Sequence, residues 1–297
     1  IDLSCLLEPI KEEEDRRWLC HESDAHSNGE ILENELLNDA ELMKAINHHG
    51  KASRTIQIVN TDRSVCARIS GEITARHGNQ GFQGQLDLKF EGAAGQSFGA
   101  FIIQGMNIQL IGEANDYVGK GINGGRITIT PPSIKKDIGN QVILGNTCLY
   151  GATGGEVFAL GRAGERFAVR NSGVKAVVEG AGDHCCEYMT GGVIVILGST
   201  GRNVGAGMTG GVTFLLDENN KVIDRVNKEI IDIYELSNES QENILKPLIE
   251  DHLRWTNSRK AEEILADWGN WKKKFKILIP PSEKIKLGLE NSNQVLA

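Results

Sequence analysis

The sequence predicts an all-β solenoid: a single-stranded, right-handed parallel β-helix with flanking N- and C-terminal α-helical segments. Three observations lead there. Glycine occurs 35 times in 297 residues, where a share of about 7% is usual, and aromatic residues supply only 5%. The chain therefore has many tight corners and a core of small aliphatic side chains. Second, Gly105, Gly124, Gly154, Gly173, Gly192 and Gly211 recur at spacings of 19, 30, 19, 19 and 19. A fixed period near twenty marks stacked units that cannot bury their apolar faces alone. Third, the positions three and five after each of these glycines are apolar throughout. They are Ile108, Ile127, Val157, Ala176, Val195 and Phe214, then Leu110, Ile129, Ala159, Val178, Leu197 and Leu216. Alternation by two means strands, with these positions pointing inward.

Nineteen residues accommodate about three short strands and three corners, one coil of such a helix, with coils about 4.8 Å apart. The six marker glycines are read as structural, since stacked corners need φ > 0 or a close backbone approach. The one long interval holds eleven extra residues around Pro131-Pro132-Ser133-Ile134-Lys135-Lys136, read as a surface loop. A leucine-rich repeat is the competing solenoid, but its L-x-x-L-x-L frame is absent.

Four regions follow. Residues 1–55 are a linker with a short helix. Within it Lys11 to Arg17 is a charge run, and Asn34 to Ala45 has helical spacing closed by His48-His49-Gly50. Residues 56–236 are the repeat region. Its early runs, such as Val65-Cys-Ala67-Arg-Ile69 and Phe101-Ile-Ile103, read as strands with no helix between them, which excludes βαβ units. Residues 237–280 form a helical extension. Ile244, Leu245, Leu248, Ile249 and Leu253 make one stripe, and Ala261, Ile264, Leu265 and Trp268 a second after a cap at Asn257-Ser258. Residues 281–297 read as a disordered tail.

The net charge of −8 argues against a general nucleic-acid or anionic-membrane surface, because both need a basic face. No apolar run approaches the ~20 residues of a membrane span. The chain opens on Ile1 without a signal-like segment, and reads as a processed piece or a fragment. Its six cysteines, Cys5, Cys20, Cys66, Cys148, Cys185 and Cys186, contain no C-x-x-C and read as free thiols.

Motifs that resemble chemistry fail on context. Gly119 to Gly124 and Gly205 to Gly210 both fit G-x-G-x-x-G, yet each runs into a strand rather than a helix. Gly95-Gln-Ser97-Phe-Gly99 fits the nucleophile elbow but lacks the helix that follows one. Asp183-His184-Cys185-Cys186-Glu187 gathers metal-type ligands, but neighbours along a strand diverge and no second ligand pair exists. His48-His49 reads as a helix-end pair. Arg162, Arg166, Arg170 and Arg202, with Glu165, Glu179 and Asp183, read as solvent-face ladders rather than a sugar-cleaving cluster. No catalytic, cofactor-binding or metal-binding residue is assigned.

Longer stretches carry a family resemblance. Asp62 to Ile73 with Gly78-Asn-Gln-Gly81, Asn115 to Gly121, Gly145 to Gly155, Gly164 to Gly173 and Asn203 to Gly211 look like the C-terminal domain of glutamate synthases, over residues 50–275. Lys274 to Glu283 looks closer to the ferredoxin-dependent type. The resemblance implies an enzyme that converts glutamine and 2-oxoglutarate to glutamate. An amidotransferase domain and an FMN-barrel domain with an iron–sulfur cluster would do the chemistry. Electrons would come from ferredoxin or from an NADPH-oxidising small subunit. The matching domain would be a scaffold, in the cytoplasm or the plastid stroma. Similar glycine-repeat helices in formylmethanofuran dehydrogenases, or a free-standing carbohydrate-binding β-helix, are the alternatives.

Overall fold

The computed structural model describes residues 2, 4, 29–132 and 140–289. Cys5, Cys20, the Lys11–Arg17 charge run, the loop from Ser133 to Lys136 and the tail beyond 289 lie outside the described residues. The chain divides into two units, Ile1–Ile31 and Leu32–Ala297. In the first, Ser4 donates its backbone N–H to Asp2 Oδ1 at 2.9 Å.

The fold class is not the expected solenoid. Among the described residues the chain is a mixed α/β fold, with one sheet of eleven strands, parallel and antiparallel, and six α-helices. The strands β1 (Lys51–Ile58), β2 (Gln85–Ala94), β3 (Met106–Ala114), β4 (Asn123–Thr130), β6 (Gly154–Ala163), β7 (Ser172–Gly180), β8 (Thr190–Ile196) and β9 (Gly210–Leu216) lie side by side in that order and run parallel. The short β5 (Val142–Leu144) pairs with β3 and β6 off this path. Beyond β9 the sheet turns antiparallel, through β11 (Phe275–Ile279) and then β10 (Asp232–Glu235).

Three features overturn the expectation. Each nineteen-residue repeat contributes one strand of seven to ten residues and a six-residue turn, not three short strands. The first parallel pair is a β–α–β connection, because α3 (Ala67–His77) stands between β1 and β2. The run Val65 to Ile69, which reads as a strand, starts that helix. The last strands are antiparallel. The period fixes the offset between parallel neighbours, as in Ile108 opposite Ile127 and Val157 opposite Ala176. It does not determine how the remainder of each repeat is built.

The described turns at 96–101, 116–121, 146–151, 165–170, 183–188 and 202–207 stack on one another. In each, the second, fourth and sixth residues have positive φ, as in Tyr117 (64°), Gly119 (63°) and Gly121 (62°). Most of the N–H groups at these positions bind neighbouring turns. Ser97 and Phe101 donate forward to Asp116 O (2.8 Å) and Lys120 O (2.9 Å), whereas Gly99 donates back to Val65 O (2.9 Å). The third residue of each turn points inward: Phe98, Val118, Cys148, Phe167, Cys185 and Val204, all buried. Between these turns and the sheet's inner face lies one apolar cluster, joined at its β1 end by α1 (Leu32–Asn38), α2 (Ala40–Asn47) and α3.

A second cluster lies on the outer face. There α4 (Glu239–Thr256) and α5 (Arg259–Ala266) cover the sheet with Leu245, Leu248, Ile249, Ala261 and Ile264, the stripes expected from the sequence. Asn238 caps α4 in a capping box with Gln241, and Ser258 caps α5. A short α6 (Trp268–Trp271) follows. The register between β7 and β8 slips by one residue, so Ile194 and Ile196, not Val195 and Leu197, face inward. Val195, Leu197, Phe214 and Leu216 are buried under the helical layer instead. A one-residue slip moves every side chain to the opposite face. Residues 281–283 and 285–287 form single 3-10 turns.

Candidate functional site

The helical layer covers only part of the outer face, and the uncovered part is polar. One cross-strand row runs Ser53, Asp87, Asn107, Arg126, Glu156 and Lys175, each directly opposite the next. A second row runs Thr55, Lys89, Gln109 and Thr128, then becomes apolar at Phe158, Val177 and Val195, where the helices sit above it. The change from polar to apolar along a row marks the edge of the helical cover, because a covered position must be apolar or paired.

The open half is a groove of about 740 Å³ along β1 to β4, walled by Arg254 and Trp255 of α4. A shallower extension reaches Glu156 and Lys175. Strand pairing holds the side chains in place, and several of them bind one another. Asp87 accepts from Gln85 Nε2 at 2.7 Å and from Asn107 Nδ2 at 2.8 Å. Lys89 pairs with Glu91 at 2.6 Å, and Gln57 donates to the same carboxylate at 3.1 Å. The ammonium of Lys89 holds the Glu91 carboxyl below its usual range. Arg126 lies 3.7 Å over the Trp255 ring and 3.4 Å from Glu156. Lys175 and Arg254 are exposed and make no ion pair among the described residues.

The motifs singled out in the sequence sit elsewhere. Gly119 to Gly124 and Gly205 to Gly210 lie in the turn stack and lead into β4 and β9. Ser97 lies in the 96–101 turn, with φ 64°. Asp183 to Glu187 forms a turn, not a strand. Positive φ at His184 and Cys186 turns both cysteines inward, with their sulfurs 3.6 Å apart. Glu187 meets Arg166 at 3.4 Å and His184 at 3.7 Å, and Arg202 meets Asp183 at 3.2 Å. Arg162 reaches Ala181 O at 3.1 Å and Ser199. Glu179 is buried under α4 and α5, 3.6 Å from His252 and bonded to the Ser258 hydroxyl. That hydroxyl points to the carboxylate and not to the imidazole, so the trio does not form a nucleophile–base pair. His48 closes α2, and the His49 ring lies tilted against that of His77, centroids 4.2 Å apart.

Cys66, Cys148, Cys185 and Cys186 are free and buried. Burial pushes the Cys148 thiol up to about 12, so it is not a thiolate nucleophile at neutral pH. Among the described residues no three His, Cys, Asp or Glu side chains are placed to hold a metal ion. Nor is any helix there long and apolar enough to cross a membrane. The marker glycines line the strand entries, with positive φ at Gly105, Gly192 and Gly211 but not at Gly124, Gly154 or Gly173. The polar row lies two residues after four of them, at Asn107, Arg126, Glu156 and Lys175. The sequence reading missed it by following only the apolar positions. The switch four residues after each marker, from Gln109 and Thr128 to Phe158 and Val177, was the available signal.

A family model described as "GXGXG motif" matches residues 33–281. Over 285 residues the chain is 54% identical to the ferredoxin-dependent glutamate synthase 2 of a Synechocystis species, covering 96% of this chain and 18% of that protein. It is 52% identical over 264 residues to the chloroplastic ferredoxin-dependent glutamate synthase of Spinacia oleracea, covering 88% and 16%. With the ferredoxin-dependent glutamate synthase of Pyropia yezoensis the identity is 55% over 260 residues, covering 87% and 17%. The chain thus spans less than a fifth of the length of these relatives.

Proposed function

The chain belongs to the GXGXG motif family, and from that premise we propose that it is a scaffold domain of a ferredoxin-dependent glutamate synthase. The observation that carries this reading is identity of 54% over 285 residues, 96% of this chain. The larger enzyme would form two glutamates from glutamine and 2-oxoglutarate, with reduced ferredoxin as electron donor. Its location would be the plastid stroma, or the cytoplasm of a cyanobacterium. FMN and an iron–sulfur cluster are assigned to other domains. The described thiols are buried and scattered or adjacent, which does not suit a cluster.

Within the chain, residues 56–236 are the scaffold body, with Gly105, Gly124, Gly154, Gly173, Gly192 and Gly211 serving folding rather than chemistry. Residues 1–55 are the linker, 237–280 the helical cover and 281–297 the tail. No residue of the chain is assigned a catalytic role. The supporting physics is that most of the alternate N–H groups of the turns bind neighbouring turns, and that the described thiols are buried. The test is to purify residues 1–297 and assay glutaminase activity, FMN content and glutamate formation with a reductant. All three should be absent, while the full-length enzyme shows them. Stoichiometric FMN or turnover in the short chain would overturn the scaffold reading.

A further inference from the structure

We infer that the polar half of the outer sheet face is a docking surface, and that its occupant is an acidic, polar surface of another protein domain. This rests on the reading above for the existence of that domain, and on the groove itself for its chemistry. The lining has two carboxylates, Asp87 and Glu156, and four cations, Lys89, Arg126, Lys175 and Arg254. Four less two gives +2 along the lining, and +1 once Glu91, the ion-pair partner of Lys89, is counted, in a chain of net charge −8. The cationic character is therefore placed, not general.

The free charges sit at two corners. Asp87 is occupied by two amides, and Lys89 by Glu91. Lys175 at the far end of the row and Arg254 on the helical wall have no carboxylate among the described residues. An apolar partner would strip water from both and from the Thr and Gln rows without replacing its hydrogen bonds. An acidic partner supplies what those two groups lack, and opposite charges across an interface fix orientation and register. Arg126 packs on the face of the Trp255 ring and so ties the wall to the sheet. An element lying beside α4 over β1 to β4 would continue the helical layer across the sheet.

The experiment uses the full-length enzyme and an amine-acylating ester. Lys221 is exposed in a separate segment and serves as the internal reference. Lys175 should acylate at least about tenfold slower than Lys221. It should reach the Lys221 rate in Arg254→Glu, or in about 1 M salt, where the screening length falls to about 3 Å. Equal rates in the parent enzyme would overturn the inference. So would protection that ignores both salt and Arg254→Glu, since the cover would then not be acidic. Protection that appears only as enzyme concentration rises would assign the face to a second copy and also overturn it. Ferredoxin-driven glutamate formation is assayed on the same sample. An active enzyme with an unprotected Lys175 removes the docking surface alone. Protection in an enzyme that forms no glutamate removes the functional reading alone.

Discussion

Alternation of backbone handedness is what the stacked turns require of individual residues. At their second, fourth and sixth places stand Ser97, Tyr117, Leu149, Arg166, His184 and other side chains that rarely adopt φ near 60°. Each such residue costs of order 1–3 kcal/mol, and the bonds to both neighbouring turns offset it. Glycine at these places relieves the cost, and it also lets a ring lie flat. A Cβ on Gly121 would stand 2.5 Å from the Phe101 ring, and one on Gly207 would stand 2.4 Å from the Tyr188 ring. At the strand entry the constraint is sharper. Gly192 has φ +87°, and a Cβ there would lie 2.4 Å from the Val174 carbonyl oxygen, which is backbone and cannot step aside. Gly192→Val should therefore lower stability by about 3 kcal/mol or more, combining strain with the clash. Gly269→Val, in α6 with open space around it, should change stability by less than about 1 kcal/mol. Urea unfolding of both variants beside the parent measures this. Equal midpoints for Gly192→Val and the parent would mean that the entry can relax.

At the scale of elements, caps and long-range contacts decide what sequence periodicity leaves open. The stretch Asn34 to Ala45 reads as one helix but is two, because Asp39 stops the first and caps the second, accepting from Glu41 N and Leu42 N at 2.9 Å. The start of α3 has no local cap. Its N–H groups bind Glu33 of α1, at 3.0 Å from Arg68 and 3.2 Å from Ile69. A cap supplied from 35 residues away is invisible to local patterns, which is why Val65 to Ile69 read as a strand. By contrast α4 and α5 were legible, since stripe, cap and length agree within each segment. Asp39 also receives Arg54 of β1 at 2.6 Å and so ties α2 to the sheet edge. The Arg54 hydrogen bond, with that from Leu42 N, lowers the Asp39 carboxyl to about 2. A carboxyl with a depressed folded-state value stabilises above its unfolded value of about 3.9. That contribution is lost as pH falls through about 2. Asp39→Asn keeps a capping side chain but loses the charge. It should cost on the order of 1 kcal/mol at pH 6, because the pair is partly exposed, and almost nothing below about pH 2. Thermal unfolding across that range checks it, and a cost that does not change with pH would remove the ion pair from the account.

At the scale of the molecule, one sheet separates two cores. The repeat was legible because both cores keep a two-residue alternation, and the assignment of faces was not. Up to Val178 the positions three and five after each marker face the turn stack. From β8 onward the same positions face the helices, because the strand enters one residue early. Apolar residues stand on both faces there, so the sequence has no contrast to reveal the slip. The open polar groove was missed for the complementary reason, since it replaces apolar residues on only one face. Two adjacent residues of β6 test this separation. Phe158 is buried under α4, with its ring 6.3 Å from that of His252, whereas Val157 is buried toward the turns. Three tryptophans, Trp255, Trp268 and Trp271, pack against the outer cluster, so native tryptophan emission reports mainly on that side. Phe158→Ala should cost about 3–5 kcal/mol and shift native emission to the red as the helical layer loosens. Val157→Ala should cost about 2 kcal/mol and leave native emission unchanged, because its cavity opens on the far side of a continuous hydrogen-bonded sheet. Steady-state fluorescence and urea unfolding on both variants decide the matter. An equal red shift from the two would mean that the faces share one core and that the sheet between them transmits every change in packing.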